Sequence, residues 1–176
     1  INVMRAATCA WPGGLGAACI LSCAFFAAIS GSSMVTLLAV GTILYPALRK
    51  EGYSQQYSLG AITSAGTLGV IIPPSIPLII YGISTQTSIT DLFLAGLIPG
   101  LLLTAALLGY SLVKNRKLPR YPFKPKEFYI ALKDGIWSLL MPVILLGGIY
   151  SGHFTATESA AVALCYALVI ELLVYR

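Results

Sequence analysis

The chain has 176 residues, of which 57% are hydrophobic and 10% are charged, and its mean hydropathy is +0.86. These values exclude an ordinary soluble domain and are typical of a protein that crosses a membrane several times. The net charge of +5 does not indicate nucleic acid, because seven of the eleven basic residues fall between Lys114 and Lys133, beside apolar segments, where a positive-inside bias explains them. The chain starts at Ile1 instead of Met, so we expect a piece of a longer protein.

The first apolar segment, residues 6–48, has no charged residue and contains the sequence ISGSS at 29–33. The arms on either side have about 15 residues each, and as helices they reach roughly 23 Å, which is less than a hydrocarbon core of roughly 30 Å. This predicts a re-entrant hairpin over about 14–48, with both ends on the same side of the membrane. A single tilted spanning helix, with serines bonded back to backbone carbonyls, is an equally good interpretation.

The second apolar segment, residues 60–83, is long enough to span a bilayer but is interrupted in its body by Gly66, Gly69 and three prolines. Each proline removes a backbone donor and clashes with the preceding turn, so we predict a broken helix that leaves helical geometry between Gly66 and Ser75. Non-helical backbone at membrane depth is tolerated only against protein or beside a wet cavity. Secondary transporters hold ions and substrates at such helix ends, which indicates a transport site.

Polar connectors flank this broken helix. Residues 51–59 form one, and residues 84–91, which contain no Lys or Arg, form the other and are expected on the outer side. Ser88 and Asp91 resemble an N-terminal capping box, which predicts a helix over about 92–113.

The basic stretch 114–134 predicts a cytoplasmic linker. Two further membrane helices follow, at about 135–150 and 159–175. Thr155 and Glu158 have the spacing of a capping box at the start of the second.

Two polar stretches interrupt otherwise apolar segments, Ser30–Ser33 and Gly66–Ser75, and neither contains a carboxylate. Hydroxyls and freed carbonyls suit a monovalent cation such as Na⁺, whereas free amides at helix N-termini suit an anionic substrate. The alternative is that these glycines and serines serve only close packing between helices.

Four motifs, in this order and spacing, carry a family resemblance. They are FFAAISGSSMVTLLAVGTILYPALRKEGY, GTLGVIIPPSIPLIIYG, SITDLFLAGLIPGLLL and GGIYSGHFTATESAAVA. Together they resemble the large membrane subunit of tripartite ATP-independent periplasmic (TRAP) transporters. The resemblance implies an all-α, multi-pass, elevator-type transporter built from two inverted repeats, each with a re-entrant hairpin and a broken helix. It also implies the cytoplasmic (inner) membrane of a bacterium or archaeon.

The same resemblance implies partners and a coupling ion. A small four-helix membrane subunit and an extracytoplasmic binding protein would work with this chain, and a Na⁺ gradient would drive uptake of an organic acid such as a C4-dicarboxylate or sialic acid. By position, residues 1–113 would be the later part of the first repeat, 114–134 the linker and 135–176 the first two helices of the second repeat.

The resemblance also implies site residues. The expected Na⁺ site comprises Ser30, Ser32, Ser33, Thr36, Gly66, Thr67 and Gly69. The expected substrate surface comprises Ser30, Gly31, Ser32, Pro73, Pro74 and Ser75.

Three alternative functions place different requirements on the sequence. A stand-alone inverted-repeat Na⁺/anion symporter of the divalent-anion type could have a similar hairpin and proline break. An intramembrane serine protease would have to pair Ser32 or Ser33 with His153, which the expected topology places at the outer end of a helix. A subunit that serves only assembly would need no polar breaks in its interior.

Overall fold

The computed structural model describes residues 1–118, 122 and 124–174, and in this part of the chain the regular structure is helical. The helices are α1 (Asn2–Thr8), α2 (Gly14–Ser30), α3 (Ser33–Lys50), α4 (Gln55–Gly66), α5 (Leu68–Ile71), α6 (Ile76–Thr85), α7 (Ile89–Lys114), α8 (Pro125–Tyr150) and α9 (Ala156–Leu173).

Helices α2 and α3 form a hairpin joined by two residues. Gly31 takes a left-handed conformation, with φ of 61°, and its N–H donates to the Ala27 carbonyl at 3.0 Å, which ends α2. Ser32 is extended and begins α3. The two helices pack along each other, so the interpretation as a single tilted helix is wrong, because the backbone reverses direction at Gly31.

The broken helix consists of α4, α5 and α6. It begins at Gln55, earlier than the sequence predicted, because Ser54 caps it by accepting from the Tyr57 N–H at 3.2 Å. Helix α5 ends at Ile71, and Ile72 is extended, as expected for a residue that precedes a proline. The chain becomes helical again at Ile76, after the two prolines at 73 and 74.

The last three helices begin earlier than predicted. Ser88 accepts from the Asp91 N–H at 3.3 Å, so α7 starts at Ile89 rather than at 92. Helix α8 starts at Pro125 rather than at 135, because proline suits the first helical position, and this shortens the linker between α7 and α8 to residues 115–124. Charged residues in the first turns of α8 had suggested a loop.

The capping box at the start of α9 is confirmed. Thr155 accepts from the Glu158 N–H, and the Glu158 carboxylate accepts from the Thr155 N–H at 2.8 Å. Helix α9 therefore begins at Ala156 rather than at 159. Residues 119–121 and 123 of the predicted linker, and 175–176 at the predicted helix end, lie outside the described residues.

Two apolar cores hold the helices together. The first lies among α2, α3 and α4 and includes Cys19, Leu44 and Ile62. The second lies among α7, α8 and α9 around the fully buried Phe93. Helix α2 also packs against α5 and α7, so the hairpin lies along the broken helix for most of its length.

Among the described residues, four segments are long and apolar enough to cross a membrane: Gln55–Thr85, Ile89–Lys114, Pro125–Tyr150 and Ala156–Leu173. The protein is therefore a multi-pass membrane protein. We expect successive spans to cross the membrane in opposite directions, with residues 86–88 and 151–155 on one side and the described linker residues 115–118, 122 and 124 on the other.

This arrangement predicts a labelling pattern in the full-length protein with its native cysteines replaced. Because the basic side faces the cytoplasm, a membrane-impermeant maleimide should label Lys124→Cys from the cytoplasmic side only and Thr87→Cys from the opposite side only. Leu102→Cys, on an exposed face within α7, should stay unlabelled from both sides. Labelling of the first two positions from the same side would contradict the topology.

Candidate functional site

The tip of the α2–α3 hairpin contacts the break in the broken helix through backbone atoms. The Ile76 N–H, the first amide of α6, donates to the Gly31 carbonyl at 3.3 Å. A methyl group on Gly31 would lie 2.6 Å from the Pro74 carbonyl oxygen. This approach is too close for any side chain, and the positive φ of Gly31 independently favours glycine.

A second close approach joins the tip to α5. A methyl group on Gly69 would lie 2.6 Å from the Ser32 carbonyl oxygen and 2.9 Å from the Thr36 hydroxyl. Gly69 and Ser32 therefore meet backbone to backbone, and the Thr36 hydroxyl lies at the edge of this contact. Two glycines, one on each side, allow the hairpin tip and the break to touch.

Three oxygen atoms of the tip form a compact cluster, which we call the tip cluster: Ser30 Oγ, Thr36 Oγ1 and the Ser32 carbonyl. Thr36 Oγ1 lies 2.8 Å from the Ser32 carbonyl, to which it donates, and 2.9 Å from Ser30 Oγ. Ser30 Oγ also lies 3.3 Å from the Ser32 carbonyl, to which it can donate. The Thr36 side chain is completely buried, whereas Ser30 and Ser32 are half-buried.

The prolines of the break alter the bonding of two carbonyls. In a regular helix the Gly69 and Val70 carbonyls would accept from residues 73 and 74, but both of these are proline and have no N–H. The buried Ser75 hydroxyl donates to the Val70 carbonyl in place of the missing amide. The Gly69 carbonyl has lost the same kind of donor at the point where Gly69 meets the tip cluster.

The other predicted site residues lie around this contact. Gly66 is buried, and a methyl group on it would lie 3.1 Å from Leu37 Cβ. Thr67 is exposed, and its hydroxyl donates to the Ser64 carbonyl at 2.7 Å. Ser33 is the half-buried first residue of α3, and Pro73 is fully buried beside Ser75. Thr67 therefore differs from the other predicted site residues, which are buried or half-buried.

Four helix ends converge at this contact. The C-terminal ends of α2 and α5 bring carbonyls to it, whereas the N-terminal ends of α3 and α6 bring amides. Carbonyl ends favour cations and amide ends favour anions. Residues 6–48 and 52–90 include no charged side chain, so these backbone dipoles and hydroxyls provide the local electrostatics.

Sequence reasoning missed a second buried polar cluster at the opposite end of the hairpin, where Tyr53, Tyr57 and Ser111 meet Gly16. The glycines in WPGGLG at 11–16 were the available signal for a close approach. The partners lie far apart in the sequence, so the spacing alone could not reveal them.

Comparison with known proteins identifies the family. A family model described as the tripartite ATP-independent periplasmic transporter, DctM component, matches residues 1–176. The chain belongs to this DctM family. The resemblance inferred from the four motifs is therefore confirmed, and membership in a family of permease subunits argues against the protease interpretation.

The relatives of this DctM chain are permeases with different named substrates. It is 46% identical to the C4-dicarboxylate TRAP transporter large permease protein DctM of Pseudomonas aeruginosa, over 93% of the chain and 39% of that relative. It is 43% identical to the isethionate TRAP transporter permease protein DctMQ of Oleidesulfovibrio alaskensis, over 95% of the chain and 27% of that relative. It is 40% identical to the ectoine TRAP transporter large permease protein TeaC of Halomonas elongata, over 100% of the chain and 42% of that relative. The chain thus spans less than half the length of these relatives.

The contact between Gly69 and the tip predicts a stability difference between two glycines of the broken helix. Gly69→Ala should lower the free energy of unfolding by about 1–3 kcal/mol, because the new methyl group overlaps the Ser32 carbonyl. Gly60→Ala is the matched control, since nothing lies within 4 Å of its added methyl group. Thermal unfolding of the full-length protein in detergent measures both. Equal unfolding temperatures for the two variants would contradict the backbone contact.

Proposed function

We propose that the full-length DctM protein is the large permease subunit of a TRAP transporter that takes up a small organic acid, with a C4-dicarboxylate as the first candidate and sialic acid or a related carboxylate as others, driven by a Na⁺ gradient. One observation carries the proposal: the tip cluster lies against Gly69 at the proline break of a membrane-spanning segment. Family membership supports the role of the chain as a permease subunit.

Na⁺ is the proposed ion of the tip cluster. Na⁺ prefers oxygen ligands, and unwound backbone carbonyls coordinate it in other secondary transporters. The Thr36 hydroxyl, the Ser30 hydroxyl and the Ser32 carbonyl lie within hydrogen-bond distance of one another. The Gly69 carbonyl has no helical donor, because residue 73 is a proline without an N–H. This carbonyl is a further ligand from across the contact. Gly66, Thr67 and Ser33 complete the proposed surroundings of the ion.

The substrate carboxylate is proposed to bind at the amide ends of α3 and α6. These ends carry partial positive charge, and no acidic side chain lies between residues 52 and 90 to oppose an anion. The surface would include Ser30, Gly31, Ser32, Pro73, Pro74 and Ser75. A bound Na⁺ at the neighbouring carbonyl ends would add positive charge, which would couple the binding of the ion to that of the acid.

The hairpin is proposed to be re-entrant. Its tip contacts residues 74–76, in the interior of the span Gln55–Thr85, and its base lies beside the start of that span at Tyr53. Helix α2 has 17 residues, a length of about 25 Å, which is too short for a hydrocarbon core of roughly 30 Å. The hairpin and the broken helix would then move together in an elevator mechanism.

The proposed assembly lies in the cytoplasmic membrane. It contains a small four-helix membrane subunit and a periplasmic solute-binding protein, as the tripartite description of the family implies. Exposed apolar faces such as that of α7, with Ile98 and Leu102, would contact lipid.

Reconstituted uptake tests this proposal. Proteoliposomes that contain the full-length protein and its small-subunit partner should accumulate a radiolabelled C4-dicarboxylate only with both an inward Na⁺ gradient and the cognate binding protein. Uptake with Na⁺ but without the binding protein would instead favour the stand-alone symporter. Uptake that is insensitive to Na⁺ would overturn the proposed coupling ion.

Two threonines on α3 allow a sharper test of the ion site. Thr36→Val removes a proposed ligand but keeps the side-chain shape, and it should raise the Na⁺ concentration for half-maximal uptake about tenfold, the equivalent of about 1.4 kcal/mol. Thr42→Val is the matched control, because the Thr42 hydroxyl also donates to a carbonyl one turn back, that of Leu38 at 2.8 Å, but lies on an exposed face. The same Na⁺ dependence in both variants would remove the Thr36 hydroxyl from the site.

A further inference from the structure

A buried polar cluster at the base of the hairpin has no assigned role. We call it the base cluster and define it as Gly16, Tyr53, Tyr57, Ser111 and Asn115. It joins the start of α2 to the start of α4 and the end of α7. Along α2 it lies roughly 22 Å from the hairpin tip, so none of its side chains can contact an ion bound there.

Its hydrogen bonds connect three separate parts of the fold. The Tyr57 and Ser111 hydroxyls lie 2.6 Å apart. The Gly16 N–H, in the first turn of α2, donates both to the Tyr53 hydroxyl at 3.1 Å and to the Gly13 carbonyl at 3.0 Å. The Asn115 side-chain amide donates to the Ser111 carbonyl at 2.8 Å. The Tyr53 and Tyr57 rings are stacked, with their centroids 5.4 Å apart.

Glycines make this convergence possible. A methyl group on Gly16 would lie 2.5 Å from the Tyr57 hydroxyl and 2.8 Å from the Ser111 hydroxyl. A methyl group on Gly13, where φ is +65°, would lie 2.5 Å from Asn115 Cβ. The start of α2 is therefore pressed against α4 and α7 with no space for side chains.

The buried Tyr53 phenol of the base cluster does not lose its proton near neutral pH. Burial raises the pKa of Tyr53 to about 12, against an opposing effect of the Gly16 N–H. The phenol therefore keeps its proton, and its contact with Gly16 is maintained across the physiological range.

Helix α2 is thus held at both ends against the same broken helix. At its tip the Gly31 carbonyl accepts from Ile76, after the break. At its base the Gly16 N–H donates to the Tyr53 hydroxyl, and Gly16 packs against the hydroxyl pair that joins Tyr57, before the break, to Ser111. A helix is stiff along its axis, so a shift at one end is transmitted to the other. Ser111 adds α7 to the same unit.

We propose, on the basis of the proposed function, that Tyr57 and Ser111 are positioning residues that set the height of the hairpin tip against the proline break and thereby maintain the Na⁺ affinity of the tip cluster. They act through the hairpin and do not touch the ion. Removal of the Tyr57 hydroxyl leaves Ser111 able to bond back to a carbonyl of its own helix, so the fold survives. The bonded hydroxyl pair against which Gly16 packs is lost, and the base of α2 can then shift.

Hydrogen–deuterium exchange of the full-length protein with its small subunit tests the positioning directly. Tyr57→Phe should accelerate amide exchange in peptides that cover residues 28–36 and 72–80, far from the substitution. Tyr110→Phe is the matched control, because Tyr110 precedes Ser111 on α7 but is exposed. It should leave both peptides unchanged. Faster exchange confined to peptides around residues 57 and 111 would overturn the proposal, whatever the coupling ion is.

Uptake measurements separate positioning from a merely structural role. Tyr57→Phe should raise the Na⁺ concentration for half-maximal uptake about threefold to tenfold, the range expected for coupling over this distance, while the maximal rate per folded molecule stays the same. A structural role would lower the amount of folded protein and leave the Na⁺ dependence unchanged, and that result would overturn the proposal.

Two further variants complete the test. Tyr57→Phe combined with Ser111→Ala should raise the Na⁺ concentration for half-maximal uptake no further than Tyr57→Phe alone, because both substitutions remove the hydrogen bond between Tyr57 and Ser111. Gly16→Ala should shift the Na⁺ dependence in the same direction, whereas Gly109→Ala, whose methyl group meets nothing within 4 Å, should not.

If uptake by the unmodified protein is independent of Na⁺ but amide exchange at the hairpin tip still responds to Tyr57→Phe, the positioning is supported and the proposed coupling ion is wrong.

Discussion

Two adjacent prolines inside an uncharged membrane-spanning segment impose the main constraint on this structure. Pro73 and Pro74 deprive the Gly69 and Val70 carbonyls of their helical donors, and α6 must begin anew with a free amide at Ile76. Hydrocarbon offers no water to satisfy these groups. The protein satisfies two of them internally, since the Ser75 hydroxyl donates to Val70 and the Gly31 carbonyl accepts from Ile76. The hairpin therefore supplies bonding that the break cannot provide for itself.

This bonding requires the backbones to touch, and the contact explains the positions of the glycines. Gly31 and Gly69 lie on opposite sides of the contact, and a methyl group on either would overlap a carbonyl oxygen of the other side. The same rule applies at the base, where Gly16 lies beneath two hydroxyls. The hairpin is thus fixed by close approach at both ends, whereas its middle packs through ordinary apolar side chains such as Cys19 and Leu44.

Local features of the fold were predictable from sequence because their causes are local. The prolines located the break, ISGSS located the turn, and the spacing of Thr155 and Glu158 located the cap of α9. The starts of α4 and α8 were misplaced because polar and charged residues near Gln55 and Pro125 suggested loops, although capping by Ser54 and a proline at the first position permit helices. The pairing of Gly16 with Tyr57 and Ser111 was inaccessible, since it arises only when three distant segments meet.

The composition of the tip contact has a consequence for selectivity under the proposed function. Its groups are backbone carbonyls and amides with a few small hydroxyls, and residues 52–90 offer no charged side chain to recognise one acid over another. Such a surface can bind a carboxylate and a cation, but it has few side chains that could distinguish one acid from another by the groups beyond the carboxylate. Relatives that are 40–46% identical to this chain over the aligned residues are named for C4-dicarboxylate, isethionate and ectoine, which fits a common site of this kind. Discrimination among substrates must then come from side chains outside this contact or from the proposed binding protein, so the hairpin and the break can keep one geometry while the substrate changes.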